Sequence, residues 1–165
     1  MGCGTGKPIT EAILRHLPSG KVYAVDSSEA MVEIFRTNFP NVQVVRATIA
    51  SFDFFDTQFD AVISWGVMFH LSEEEQRQAI AKVASAVREG GYFLFTSGQE
   101  SEVQHGKMYD VDFSYRSLGA EEYRRLLLQH GLTVIDEHFD KGENYYYLAQ
   151  KQPLSIQHQP MTNDQ

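Results

Sequence analysis

The chain has 165 residues, 42% apolar and 22% charged, with a formal charge of −8. That is enough for one domain with a sizeable core, no apolar run reaches bilayer length, and no basic-then-apolar leader is visible, so two ordinary domains and a membrane role are set aside. The acidic balance repels phosphate backbones and the arginines at 116, 124 and 125 are interrupted by Glu121 and Glu122, so nucleic acid is set aside too. The lone Cys3 precludes a disulfide framework or a cysteine-based zinc site, and the expectation is a cytoplasmic, metal-free protein whose partner is a small molecule.

Gly2-Cys3-Gly4-Thr5-Gly6 runs into a helical pattern through Ile9, Ile13, Leu14 and Leu17. A glycine-rich turn entering a helix lets backbone approach a ligand and aims free N–H groups at it. A phosphate-binding P-loop needs a glycine five residues before Gly6 and a hydroxyl residue after Lys7, where Met1 and Pro8 stand. The dinucleotide fingerprint needs G-x-G-x-x-G, and this loop is tighter by one residue. The turn therefore suits a ligand without a pyrophosphate.

A first strand is expected at 22–25, ending at Asp26, where a carboxylate can accept both hydroxyls of a ribose. Ser27 and Ser28 offer an N-cap for a helix with Met31, Ile34 and Phe35 on its apolar face. A second strand follows at 42–45, and a third at 59–64 is nearly continuously apolar, which predicts burial on both faces. Ser72 and Glu75 form a capping box for a helix bearing Ile80, Val83, Ala84 and Val87, closed by Gly90-Gly91 before a strand at 92–95. Residues 98–117 show no sustained period and read as an active-site flap or an insertion. A helix over about 120–130 stops at Gly131, and strands at 132–136 and 145–150 pair antiparallel. The domain spans 1–151, with a polar, disordered tail over 152–165.

This alternation of strands and helices predicts an α/β, Rossmann-like doubly wound, mostly parallel sheet with an antiparallel C-terminal hairpin. His70, in MFHL before the capped helix, is the candidate general base, since a neutral imidazole can accept a proton near pH 7. A structural role for that histidine is the alternative. His105, Tyr109 and Tyr115 lie on the flap, the two tyrosines being candidate substrate contacts. No cluster has metal-ligand spacing.

Three segments, GCGTGKPI, VYAVDSSEAMVEIFR and FDAVISWGVMFHLSEEEQRQAIAKVASAVREGGYFLF, resemble in order and spacing the class I S-adenosylmethionine-dependent methyltransferases. The resemblance covers Gly2 to about Lys151. It implies S-adenosyl-L-methionine as cofactor, with Gly2, Gly4 and Gly6, and the intervening Cys3 and Thr5, beside its methionine part. Asp26 would hold the ribose, with Ser27 and Met31 beside it and the adenine. Thr48 would replace the aspartate that the family usually places against the adenine amino group, and Ile49 would cover the base. Ser64 and Trp65 would face the sulfonium and amino-acid end. The implied activity is methyl transfer to an O, N or C nucleophile of a small molecule. The alternative is an inactive methyltransferase-like domain serving as a regulatory or interaction module. In the family a strand ending in an acidic residue leads into the first glycine, between the strands ending at Asp26 and Ser64. With Met1 directly before Gly2, that first strand is expected to be missing, and the chain to fold poorly or bind cofactor weakly until an upstream segment is restored.

Overall fold

A computed structural model describes residues 1–108, 111–142 and 144–153. The tail expected to be disordered and Tyr109 lie outside them, apart from Gln152 and Pro153. Among the described residues four α-helices, α1 (Ile9–His16), α2 (Glu29–Asn38), α3 (Glu73–Ala86) and α4 (Ala120–Gln129), combine with eight strands. The strands are β1 (Tyr23–Asp26), β2 (Gln43–Arg46), β3 (Phe59–Ser64), β4 (Val87–Thr96), β5 (Ser101–Met108), β6 (Val111–Leu118), β7 (Leu132–Phe139) and β8 (Tyr145–Lys151). Among the described residues no helix is long and apolar enough to cross a membrane.

The strands form three sheets. β1 and β2 run parallel, β3-β4-β8-β7 make a mixed sheet, and β5-β6 form an antiparallel hairpin. Parallel pairing follows from the intervening helices, and β8 inserts antiparallel between β4 and β7. The fold is therefore the expected α/β, Rossmann-like one. Residues 1–3 tie its two main sheets together: the Met1 nitrogen donates to the Ile63 carbonyl at 2.6 Å, and the Cys3 N–H to the Val25 carbonyl at 3.0 Å. No strand pairing joins β1 to β3 among the described residues.

Two expectations change. β3 is not buried on both faces: Asp60 and Ala61 are exposed, and only Val62 and Ser64 are buried. It stands at the rim of its sheet, with β4 on one edge and no strand on the other among the described residues. The capped helix ends at Ala86, before the glycine pair, because Val87 is already extended and starts β4. Gly90 and Gly91 instead lie where the β3–β4 register shifts. The aperiodic segment 98–117 is largely the β5–β6 hairpin.

The larger core gathers Ile80 and Val83 of α3, Phe93 and Phe95 of β4, Tyr123 and Leu127 of α4 and Tyr147 of β8, all fully buried. Phe95 stacks on Tyr147 with ring centroids 4.8 Å apart. A smaller core joins Ala24, Val32, Phe35 and Val44 between β1, β2 and α2. Burying Gln76 of α3 requires partners for its amide, and it has three. Its Nε2 donates to the carbonyls of Leu71 and Arg116, and its Oε1 accepts from the Tyr123 hydroxyl. Tyr123 in turn accepts from the Leu118 N–H and sits 2.6 Å from the Ser97 hydroxyl, joining helix layer, hairpin and sheet.

Candidate active site

One cavity of about 730 Å³ opens where the glycine turn meets the carboxyl ends of β1 and β3, within the size range of small-molecule sites. Carboxyl ends of parallel strands are where open α/β sheets hold ligands, because the connecting loops diverge there. Gly2, Cys3, Gly4, Thr5, Gly6, Asp26, Ser27, Met31, Thr48, Ile49, Trp65 and His70 all line it. Ser64 does not. It is fully buried, and its hydroxyl has no hydrogen-bond partner among the described residues.

Two glycines show why the turn has its composition. Gly2 has φ +62°, and a Cβ there would stand 2.1 Å from a Val67 methyl. Gly4 has φ +51°, and a Cβ there would meet nothing within 4 Å. Gly4 thus leaves backbone bare toward the cavity in a conformation that other residues adopt at a cost. Its N–H donates to Asp26 Oδ2 at 2.8 Å, and the Ser28 N–H donates to Oδ1 at 2.9 Å. Ser28, rather than Asp26 or Ser27, caps α2 through its hydroxyl. Each Asp26 oxygen retains a further lone pair for a ligand hydroxyl.

Burial, reinforced by the Asp26 charge, pushes the Cys3 thiol up to about 11. It is protonated at neutral pH and unsuited to nucleophilic attack. Burial holds the His70 imidazole below its ordinary value near 6.5, in its neutral, proton-accepting form. The His70 ring lies 4.7 Å from that of Phe69 and 5.0 Å from that of Tyr115, centroid to centroid. Tyr115 lines a second cavity, described below, whereas His105 lines neither of the two.

The loop after β2 contains partners that sequence reading missed. Thr48 and Ser51 bond reciprocally, with hydroxyls 3.0 Å apart. Lys82 reaches over from α3 and donates to the carbonyls of Ile49, Ala50 and Phe52 at 2.8, 2.7 and 3.1 Å. All three ammonium protons are thereby used to fix the loop that carries Thr48 and Ile49. Glu75 also lines the cavity, while its carboxylate accepts from the Ser72 N–H and hydroxyl, which hold its carboxyl below the usual range. Ser72 with Glu75 was visible as a capping box, but nothing in the local pattern reveals Lys82.

The family that matches residues 1–91, more than half the chain, is described as a methyltransferase domain. This chain belongs to that methyltransferase family. A probable S-adenosylmethionine-dependent methyltransferase of Mycobacterium tuberculosis is 28% identical over 135 residues, which is 81% of this chain and 47% of that protein. The chain thus spans about half the length of that curated relative. Its fold superposes on an S-adenosylmethionine-dependent methyltransferase from Clostridium acetobutylicum with a TM-score of 0.74 at 15% identity, covering 92% of this chain and 82% of the other. It also superposes on an S-adenosylmethionine-bound amino pentose methyltransferase from Micromonospora echinaspora, with a TM-score of 0.73 at 17% identity and coverage of 91% and 80%. The donor set here suits the S-adenosylmethionine for which those proteins are named: bare backbone at Gly4, a carboxylate with spare lone pairs at Asp26 and apolar walls at Ile49 and Trp65.

Proposed function

We propose that this chain transfers a methyl group from S-adenosylmethionine to an oxygen, nitrogen or carbon nucleophile of a small molecule. The observation that carries this reading is the convergence, in one cavity, of the open glycine turn, Asp26 and His70. When bound, the cofactor supplies a methyl group on a positively charged sulfur, open to in-line attack. The residues' part is to hold two molecules in line and keep water out, which removes a large share of the barrier.

Gly2, Gly4 and Gly6, with Cys3 and Thr5 between them, border the methionine part. Asp26 accepts the ribose hydroxyls, and Ser27 and Met31 flank them. Ile49 covers the adenine, with Thr48 at its edge, while Lys82 keeps their loop in place. Trp65 shields the reacting end, and the neutral His70 imidazole takes the proton that the acceptor releases. Incubation with methyl-labelled S-adenosylmethionine and a panel of small metabolites tests the reading, with label expected in an acceptor. Titration calorimetry with S-adenosylhomocysteine tests the site separately, and a chain without measurable affinity for it sinks the proposal.

A further inference from the structure

A second cavity of about 190 Å³ lies where the hairpin crosses the carboxyl end of β4. Strand alternation builds its hairpin wall. Glu102 pairs with Ser117 and Gln104 with Tyr115 across β5 and β6, so all four side chains fall on one face, and all four line this cavity. Two contacts join it to the cofactor cavity. The Gly66 N–H, on the cofactor side, donates to Thr96 Oγ1, on the hairpin side, at 2.8 Å. The His70 ring, on the cofactor side, packs on Tyr115, on the hairpin side. A molecule seated in the second cavity is therefore one layer of side chains from the cofactor space, with the Tyr115 ring between it and His70. At about 190 Å³ it admits one ring or a short chain, the reacting end of an acceptor rather than the whole of a large one.

Its electrostatics select among acceptors. Two charged residues line it, Glu102 and Arg116. Arg116 is neutralised by Glu73, with 3.1 Å between their charged atoms. Glu102 accepts from the neutral amide of Gln104 at 2.9 Å and makes no ion pair among the described residues. The uncompensated charge is thus negative, and the rings of Phe69, Tyr115 and Tyr145 line the same space. A carboxylate beside aromatic rings is a receptor for an ammonium group. The net charge of −8 acts in the same direction, drawing cations and repelling anions.

We propose that the second cavity receives the amine end of the methyl acceptor and that Glu102 is the residue that selects it. This rests on the methyl-transfer reading above and narrows its acceptor to an amine. The amine is held as the ammonium ion on arrival and must lose a proton before its nitrogen carries a lone pair; His70, packed on the cofactor side of the Tyr115 ring, is the neutral acceptor that the nitrogen meets as it advances past that ring.

The test needs no turnover. The full chain is titrated with cyclohexylamine and with its neutral counterpart cyclohexanol, and amide resonances are followed by NMR. Cyclohexylamine is expected to shift the amides of Ser97, Gly98 and Ser117 and to bind more tightly than the alcohol. E102Q, on an exposed hairpin position, is expected to weaken the amine about fivefold and leave the alcohol unchanged. Equal binding of amine and alcohol, indifference of the amine to E102Q, or absence of shifts at those amides would each overturn the proposal. S-adenosylhomocysteine calorimetry on the same sample keeps the two readings separable. Cofactor binding without amine selectivity defeats this inference alone, and loss of cofactor binding defeats the methyl-transfer reading.

Discussion

The cavity beside the glycine turn lies between two unequal halves of the molecule. On one side β1, β2 and α2 enclose a small core of Ala24, Val32, Phe35 and Val44, and carry Asp26. On the other, four strands with α3 and α4 enclose the aromatic core around Phe95, Tyr123 and Tyr147, and carry Trp65 and His70. Successive residues of β1 divide between them: Ala24 belongs to the small core and Val25 to the large one. Hydrophobic stabilisation scales with buried apolar area, so most of it resides on the side that carries Trp65 and His70. The half that carries Asp26 is the weaker one. Ligand-binding elements are commonly drawn from the low-stability end of a structure, where binding energy completes the order.

Matched truncations would break this comparison most forcefully. Phe35 and Phe95 are both fully buried, and Phe95→Ala is expected to cost about 3–5 kcal/mol of global stability in a urea titration. Phe35→Ala should instead speed amide exchange in β1 and β2, leave β4 and β8 protected, and abolish S-adenosylhomocysteine binding. Equal loss of protection in all four strands would show one cooperative unit. Asp26→Asn is expected to lower S-adenosylhomocysteine affinity about 10- to 100-fold by calorimetry, as charge-assisted hydrogen bonds are lost, with little change in the β4 and β8 exchange.

Lys82 spans the two halves, anchored on α3 and holding the loop after β2. Lys82→Met should cost about 1–3 kcal/mol in denaturant titration and weaken the adenine end of the ligand more than the methionine end. Comparison of adenosine with homocysteine as competitors reads that difference. The smallest effect concerns His70. Its folded-state titration lies below its ordinary value near 6.5 because of burial. Between those two points the unfolded chain binds the extra proton, so stability falls as pH drops below about 6.5 and gains nothing above it. An NMR titration of His70 should give a midpoint below 6.5, and Tyr115→Ala should move it upward by restoring solvent to the ring.

The features legible in the sequence are those set by neighbouring residues. The glycine turn, the carboxylate at the end of β1, the Ser72–Glu75 capping box and the antiparallel pairing of β7 with β8 all follow from local spacing. The shape of the glycine turn was readable for that reason. The hairpin was not, because among its described side chains only Leu118 joins the large core, and the alternation of Val111, Phe113 and Tyr115 with polar residues in β6 has no counterpart in the polar β5. Ser64 misled for a related reason: its place after an apolar run suggested the cavity wall, but the packing turns it inward. Lys82 meets its loop across more than thirty residues of chain, and no periodicity encodes such a meeting.

The buried Gln76 has one consequence for how acceptor choice can change. Its amide grips the hairpin by the Arg116 carbonyl, a backbone atom that every amino acid possesses. That bond between hairpin and helix layer is therefore indifferent to which side chains the hairpin displays, unlike the ion pair of Arg116 with Glu73. Residues at positions such as 102 and 104 can be exchanged without loosening it. The selectivity proposed for Glu102 would thus be written on a replaceable facing, while the framework beneath keeps its shape.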